Sequence, residues 1–193
     1  MRKDIILSGV GGQGILSIAT VIGQAATTAG IHLKQAEVHG MSQRGGDVQS
    51  NLRLSTEPIH SDLIPRGQAD LIIAMEPMEA LRYLPYLGPE GRIISSEEPF
   101  VNIPHYPDPE ALANALSALP RVSRLPIERL AKENGVPRSA NILLLGLAAP
   151  HIGIVSADDL REAIGQVFAP KGPAMVDMNR KAFDIGLANA LGL

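Results

Sequence analysis

A short apolar run that leads through closely spaced glycines into an amphipathic pattern is the feature that most limits how this chain can fold. Asp4–Val10 (DIILSGV) is rich in branched apolar residues and predicts a buried parallel strand. Gly9, Gly11 and Gly14 have GxGxxG spacing. The next stretch, Ile15–Gly30, has apolar residues at helical intervals and ends on a glycine that can terminate a helix. This order of strand, glycine turn and helix predicts the first unit of an α/β fold.

The glycine turn has a chemical use as well as a structural one. Glycine lets the backbone approach a ligand closely, and the free N–H groups and dipole at the start of the next helix attract an anion. Phosphate or pyrophosphate is the natural ligand. The alternative is that the glycines only allow a tight turn and close packing of helix on strand. The candidate cofactor-binding residues of this turn are Gly9, Gly11, Gly12, Gln13 and Gly14.

A second glycine-rich loop lies between two further predicted strands. HLKQAEVHG (32–40) predicts the second strand and VQSNLRLS (48–55) the third, so the loop between them lies at strand ends, near the first glycine turn. Two glycines free the backbone there, and Arg44 provides a permanent planar cation that suits phosphate or carboxylate. The candidate residues of this loop are Met41, Ser42, Gln43, Arg44, Gly45 and Gly46.

The remainder of the chain continues the alternation of strands and helices. DLIIAM (70–75) predicts a buried strand that is followed by a helix and another strand. This rhythm favours a Rossmann-like, mostly parallel sheet with helices on both faces. From about residue 139 the pattern is helical. We therefore expect residues 1–193 to form a single domain with a helical C-terminal extension.

Local patterns within these elements lead to further expectations. Asn51 and Arg53 alternate with leucines in the third strand, which predicts one wetter face. Glu76 follows a strand and precedes Pro77, which favours a helix start over a ligand-binding role. Ser156 and the acidic residues after it predict a capped helix. The last predicted helix has an apolar face that needs a partner, made of Met175, Met178, Ala182, Ile185 and Ala188.

Composition excludes several classes of function. The 17 basic and 20 acidic side chains give a formal charge of −3, basic residues form no run, and aromatic residues make up 3%, so a nucleic acid is not an expected partner. Cysteine is absent, which rules out disulfides, a thiolate nucleophile and cysteine-ligated iron–sulfur clusters in this chain. His105 has no second metal ligand at useful spacing, so the sequence predicts no metal site. It also lacks the pattern of a signal peptide or a membrane span, so we expect a cytoplasmic protein.

Three ordered motifs make the sequence similar to a known family. GVGGQGIL (9–16), EVHGMSQRGGDVQSNLRLS (37–55) and ADLIIAMEPMEALRYLPYL (69–87) together resemble the gamma subunits, or gamma domains, of the 2-oxoacid:ferredoxin oxidoreductases. HGMSQRGG (39–46) points to the branch that contains the beta subunit of indolepyruvate:ferredoxin oxidoreductase. The resemblance covers most of the chain. Asp47 departs from it, since a small residue is expected there.

The resemblance implies a division of labour between subunits. A large alpha subunit would carry thiamine diphosphate with Mg²⁺ and the iron–sulfur clusters. The complex would decarboxylate an aryl 2-oxoacid such as indolepyruvate, release CO2, pass electrons to ferredoxin and form an acyl-CoA from coenzyme A. This chain would be inactive alone, and its two glycine-rich loops would face the partner's thiamine site or the CoA phosphates.

Other interpretations stay open at this point. The chain could be the gamma subunit of an enzyme for pyruvate or another 2-oxoacid, and it could form a homodimer without its partner. A free-standing Rossmann-type dehydrogenase would need Glu37 on a ribose, although the glycine-rich loop that follows Glu37 is unusual for a ribose-binding strand end. A regulatory nucleotide-binding or assembly module is the third interpretation. His39 lies beside the glycine loops, but the sequence assigns no catalytic residue.

Overall fold

The computed structural model describes residues 1–40, 46–101 and 103–192, which form a six-stranded sheet flanked by seven α-helices. The strands are β1 (Arg2–Val10), β2 (His32–His39), β3 (Asp47–Ser55), β4 (Ala69–Ala74), β5 (Leu87–Ser96) and β6 (Val122–Leu125). The helices are α1 (Ile15–Thr28), α2 (Pro77–Arg82), α3 (Pro109–Ser117), α4 (Ile127–Glu133), α5 (Ala140–Ile152), α6 (Ala157–Phe168) and α7 (Pro173–Leu191). Short 3₁₀ helices follow α2 and α6.

The sheet is mixed, with one antiparallel strand among the six. The strand order is β2-β3-β1-β4-β5-β6. β1, β4, β5 and β6 pair in parallel, whereas β3 is antiparallel to both β1 and β2. The predicted α/β fold with a mostly parallel sheet is therefore confirmed. The order differs from a dinucleotide-binding sheet, in which the second strand adjoins the first, because β3 lies between β1 and β2.

Alternate residues of the central strands face two different hydrophobic layers. Ile5 and Leu7 of β1 pack into the larger layer, which contains buried residues of α1, α4, α5, α6 and α7. Ile6 faces the smaller layer, with Ala80 of α2 and Leu116 of α3. This alternation is the period of two that a β-strand imposes on its side chains. Helices consequently cover both faces, as the sequence predicts.

The predicted wetter face of β3 is instead buried. Asn51 and Arg53 are 2% and 8% exposed. The Arg53 guanidinium donates from Nε to Asp4 Oδ1 over 2.9 Å and from Nη2 to Asp4 Oδ2 over 3.1 Å. Its Nη1 donates to the carbonyl oxygens of Ser61 and Leu63. The expectation was wrong because polar alternation indicates a wet face only where no partner in another segment satisfies the polar groups.

The apolar face of α7 meets α5 along a line of very close contact. Ala182, Phe183 and Gly186 are buried, whereas Ala188 of the predicted face is exposed. A Cβ added to Gly186 would lie 1.9 Å from the Leu143 carbonyl oxygen. The predicted partner of this face is thus α5. Phe183 and Gly186, at the centre of the contact, were not part of the predicted face.

The start of α6 confirms the predicted cap. The Ser156 hydroxyl accepts from Asp159 N–H over 3.0 Å, and Asp159 Oδ2 accepts from the Ser156 N–H over 2.8 Å, a reciprocal capping box. The Ser156 hydroxyl also donates to Asp159 Oδ2 over 2.6 Å. These hydrogen bonds, the hydroxyl's above all, lower the pKa of Asp159 below its ordinary value of 3.8.

We expect Ser156→Ala to lower the free energy of unfolding by about 1 kcal/mol at neutral pH, because a helix N-terminus loses its side-chain acceptor. A depressed carboxyl pKa contributes stability above pH 3.8 that is lost as the pH falls through the lower folded-state value. The free energies of unfolding of the natural chain and of Ser156→Ala should therefore become more similar in that acid range. Urea titrations at several pH values measure both free energies. Ser156→Thr keeps the hydroxyl and should behave like the natural chain, and a large loss in that control would contradict the assignment.

Candidate functional site

The loops that follow five of the strands meet at one edge of the sheet. β1, β4, β5 and β6 are parallel, and β2 runs in the same direction because β3 is antiparallel to both β1 and β2. Their carboxyl ends define what we call the carboxyl edge. The first glycine turn, the two described ends of the β2–β3 loop (Gly40 and Gly46), Glu76 and the described residues of 97–108 all belong to it. In open α/β sheets, ligands bind outside this edge.

The glycines of the first turn serve different purposes. A Cβ on Gly9 would lie 2.7 Å from Ile15 Cδ1 and 3.0 Å from Met75 Cβ, so packing of strand against helix excludes a side chain there. Gly12 and Gly14 have φ values of 103° and 80°, which only glycine adopts readily. Among the described residues, no atom lies within 4 Å of a Cβ added to Gly12. With respect to that part of the chain, the Gly12 backbone has the open space that a ligand needs.

Hydrogen bonds join the two glycine-rich segments and connect the first of them to Met75, the residue after β4. Gly11 N–H donates to Gly46 O over 2.8 Å. Gln13 Oε1 accepts from Val10 N–H over 2.8 Å, and its Nε2 donates to Met75 O over 3.3 Å. The Gln13 carboxamide thus has a structural use at both ends. Of the other predicted site residues, Met41, Ser42, Gln43, Arg44 and Gly45 lie outside the described residues.

At the start of α1, two backbone donors have no partner among the described residues. Gly14 stands at the N-cap position with no side-chain cap, and the first turn of α1 contains no acidic residue. Within the described part of the chain, the N–H groups of Ile15 and Leu16 have no acceptor. The positive end of a helix with unpaired N–H groups attracts an anion. This helix start is therefore suited to an anion such as phosphate.

A cleft of about 700 Å³ opens between the glycine turn and the β2–β3 hairpin. Gly12 and Leu16 belong to one wall, and Glu37 and His39 to the other. The volume lies within the range typical of cofactor sites. Glu37 is on the edge strand β2, one strand farther from β1 than the ribose-binding residue of a dinucleotide site. The cleft therefore departs from the arrangement that a free-standing dehydrogenase would need.

A smaller pocket of about 250 Å³ also borders the glycine turn. Gly14 and Ser17 contribute to it, together with Arg138, Asn141 and Lys171. Asn141 Nδ2 donates to Gly14 O over 3.0 Å, which fixes the turn against the start of α5. Sequence reasoning missed these three more distant residues. They lie over a hundred positions from the glycine motif and have no local pattern that would mark them.

Glu76 lies two residues after β4 at the carboxyl edge and caps α2. Its carboxylate is fully buried and accepts from Glu79 N–H over 3.0 Å and from Phe100 N–H over 3.3 Å. The Tyr106 hydroxyl also donates to it. Burial is the main cause that raises the pKa of Tyr106 well above its ordinary range, and the hydrogen bond to Glu76 is the second. The hydroxyl therefore remains a donor. The preferred expectation of a helix start agrees with this geometry.

The same helix holds a second buried carboxylate. Glu79 is 1% exposed and accepts from Arg82 Nε over 2.8 Å. Burial raises the pKa of Glu79, and the hydrogen bond from Arg82 offsets part of that effect.

The described residues contain no group of three or more His, Asp or Glu side chains placed to hold a metal ion. In the same part of the chain, no helix has both the length and the hydropathy needed to cross a bilayer.

Comparison with curated proteins gives a relative along nearly the whole chain. The chain is 35% identical over 196 residues to the indolepyruvate oxidoreductase subunit IorB of Pyrococcus horikoshii, a match that covers 97% of this chain and 95% of the relative. An identity of 35% over almost the full length of both chains is compatible with a shared fold from end to end.

Two solved structures have the same fold. The gamma subunit of a keto/oxoacid ferredoxin oxidoreductase from Geobacter sulfurreducens superimposes with a TM-score of 0.70 at 27% identity, and the match covers 99% of both chains. A 2-oxoglutarate:ferredoxin oxidoreductase from Magnetococcus marinus, with 2-oxoglutarate, coenzyme A and succinyl-CoA bound, gives a TM-score of 0.78 at 24% identity. This chain spans only 31% of that longer one.

The family model for pyruvate ferredoxin/flavodoxin oxidoreductases matches residues 4–189. That range begins in β1 and ends in α7, so it includes the glycine turn, the hairpin and every strand described above. Together with the near full-length relative, the match shows that this chain is a member of the pyruvate ferredoxin/flavodoxin oxidoreductase family.

Proposed function

We propose that the chain is the small, cluster-free subunit of a thiamine-diphosphate-dependent indolepyruvate:ferredoxin oxidoreductase. The observation that carries the proposal is the 35% identity to an indolepyruvate oxidoreductase subunit over 97% of this chain. The free-standing dehydrogenase is not favoured, because β3 separates Glu37 from the glycine strand. Pyruvate and other 2-oxoacids are the competing substrates that the experiment below includes.

The residues of this chain suit the phosphate groups of a cofactor but not an iron–sulfur cluster. The chain has no cysteine, so cysteine-ligated iron–sulfur clusters belong to another subunit. Thiamine diphosphate, when bound in the complex, supplies the carbanion chemistry by which a 2-oxoacid loses CO2. The open backbone at Gly12 and the unpaired N–H groups at the start of α1 fit a phosphate of CoA or of thiamine diphosphate.

In the proposed complex, this chain binds and orients the phosphate group of CoA or of thiamine diphosphate. The start of α1 attracts a phosphate, and Gly12 leaves room for it to approach the backbone. Leu16, Ile15 and Val48 give the cleft an apolar wall that excludes water from the neighbourhood of the bound group. Arg44 would add a second, bidentate contact to phosphate or carboxylate from the β2–β3 loop. Partner subunits complete the site.

We expect activity only from the assembled complex. The isolated chain should not reduce a viologen dye when it is given indolepyruvate, CoA, thiamine diphosphate and Mg²⁺. Addition of the purified large companion subunit should produce dye reduction, with indolepyruvate preferred over pyruvate and 2-oxoglutarate. Turnover by this chain alone, or a preference for another oxoacid, would overturn the proposal as stated.

Leu16→Glu tests whether the start of α1 receives an anion. Leu16 is 50% exposed and lines the cleft in the first turn of α1. A carboxylate there agrees with the helix dipole, so stability should hold or rise slightly. It would nevertheless repel a phosphate, and we expect CoA to bind roughly tenfold more weakly, an effect of about 1.4 kcal/mol. Leu16→Gln is the neutral control. Equal CoA affinity in all three proteins would place the phosphate elsewhere.

Arg44→Lys tests the second loop in the reconstituted complex. Arginine forms two parallel hydrogen bonds to a phosphate or carboxylate, which lysine does not reproduce. A loss of about 1.5–3 kcal/mol is expected, equivalent to roughly ten- to a hundredfold in CoA affinity. Asp47→Ala is the control, since Asp47 is exposed at the start of β3. If both changes only lower the melting temperature of the isolated subunit, the loop has a structural role.

A further inference from the structure

Three helices begin beside the smaller pocket that borders the glycine turn. α1 contributes Gly14 and Ser17 to the lining, α5 contributes Asn141, and α7 contributes Met175. Each of these residues is the N-cap of its helix or lies in the first turn. The start of a helix has a partial positive charge and backbone N–H groups without acceptors in the helix. The positive ends of three helices therefore meet at one pocket of about 250 Å³.

These three helix starts lack the negative groups that the other helices have. α2, α3, α4 and α6 each have an acidic residue in the first turn. In addition, first-turn N–H groups of α2, α3 and α4 donate to the carboxylates of Glu76, Asp108 and Glu98, respectively. α1, α5 and α7 have no acidic residue in the first turn and no side-chain cap from the N-cap residue. The helix starts without a negative group are thus the ones around this pocket.

Two cationic side chains add to the positive charge of the pocket. Arg138 and Lys171 line it, and each directly precedes the N-cap residue of its helix, Ser139 of α5 and Gly172 of α7. Such a position favours an anionic side chain and disfavours a cationic one. Lys171 Nζ lies 5.4 Å from the centre of the Phe168 ring, but within the described residues neither cation has an ion pair. The described lining of the pocket contains no Asp or Glu, so an anion from outside the chain would compensate this charge.

A buried polar side chain also faces the pocket. Asn179 is 2% exposed and belongs to the lining. Its Nδ2 donates to Met175 O over 2.8 Å, whereas its Oδ1 has no donor among the described residues. In that part of the chain, Ser139 Oγ is the one fully enclosed side-chain N or O atom without a hydrogen-bond partner. Asn179 Oδ1 is therefore open to the pocket, where it can accept a hydrogen bond from a ligand.

We propose that this pocket binds hydrogen phosphate, beside the cleft that the proposed function assigns to a cofactor phosphate. Arg138, Lys171 and the three helix starts attract the negative oxygens. Asn179 Oδ1 accepts the hydrogen bond of the P–OH group. The volume is below the range typical of larger organic ligands, which suits a small anion. The inference goes beyond the proposed function, because it concerns this chain alone and requires neither a companion subunit nor turnover.

Calorimetric titration of the full chain with inorganic phosphate, in chloride buffer at constant ionic strength, tests the site. We expect Arg138→Gln and Lys171→Gln each to weaken phosphate binding, and the two together to weaken it by at least about tenfold. Without phosphate, the melting temperature of the double variant should hold or rise, because two cations leave helix N-termini.

Arg66→Gln is the matched control for the loss of one positive charge. Arg66 is exposed but lies between β3 and β4, at the opposite edge of the sheet, so its removal should leave the phosphate affinity at the natural value. Absence of phosphate binding by the natural chain, or natural affinity in the double variant, would overturn the site. Either result would leave the proposed function untouched, since that is tested by turnover of the assembled complex.

Sulfate tests the part that Asn179 plays. At neutral pH sulfate has no proton to donate, whereas hydrogen phosphate keeps a P–OH group, so the natural chain should bind phosphate about tenfold more tightly than sulfate. Asn179→Leu is similar in size but removes the acceptor, and the ratio of the two affinities should fall toward one. This ratio is measured on folded protein and does not follow from a loss of stability. An unchanged ratio would contradict the role of Asn179 Oδ1 as the acceptor.

Discussion

Gly186→Ala will lower the free energy of unfolding by about 3 kcal/mol or more, the upper range for overpacking by a single carbon. An added Cβ would lie 1.9 Å from the Leu143 carbonyl oxygen and 2.9 Å from the backbone nitrogen of Leu147. The contact is reciprocal, since a Cβ on Gly146 would lie 2.1 Å from the Phe183 carbonyl oxygen. Backbone atoms of a buried helix cannot rotate away, so α5 and α7 would have to separate along their contact.

Gly165→Ala is the control for that experiment. Gly165 also lies within a helix, and its added Cβ would be only 2.3 Å from Arg180 Nη2. Here the neighbour is the end of a flexible, partly exposed side chain that can move. The change should be neutral, or stabilising by up to about 1 kcal/mol through the helix preference of alanine. Urea unfolding of the isolated subunit measures both. Equal stability of the two variants would contradict the close α5–α7 contact.

Arg53→Met will cost about 3–5 kcal/mol of stability, because it leaves the buried Asp4 carboxylate without its main cation. Asp4 is fully buried, and Arg53 provides two of its hydrogen bonds. Arg2 approaches Asp4 Oδ2 at 3.2 Å but is largely exposed, so it compensates only in part. The carbonyl oxygens of Ser61 and Leu63 would also lose their hydrogen bonds from Arg53 Nη1.

A double variant distinguishes the charge effect from the packing effect. Asp4→Leu combined with Arg53→Met removes both charges, so its loss should be smaller than the sum of the two single losses. Arg161→Met breaks the exposed pair with Asp184, in which both side chains are nearly half exposed, and should cost no more than about 1 kcal/mol. If Arg53→Met matches Arg161→Met in denaturant titrations, Asp4 and Arg53 are not a buried pair in solution.

The candidate site was predictable to the extent that its parts are local. The glycine turn before α1 and the hairpin that follows it could be found because strand, glycine and helix patterns are written in consecutive residues. Arg138 and Lys171 could not be predicted from the sequence, because only the packing of α5 and α7 places them in the same pocket as Gly14. The part played by Glu76 was half predictable: its helix cap is local, whereas its hydrogen bonds to Phe100 and Tyr106 join residues 24 and 30 positions away.

The sequence by itself determined the α/β class, the helix starts such as Ser156, and the meeting of two glycine-rich loops at strand ends, because each depends on short-range periodicity or on a single capping residue. Tertiary structure alone decided that β3 enters antiparallel between β1 and β2, which buries Arg53 against Asp4 and moves Glu37 away from the glycine strand. It also decided that Gly146 and Gly186 form the α5–α7 contact. Strand order and helix contact depend on pairing between distant residues, where the competing arrangements differ in burial and not in local pattern.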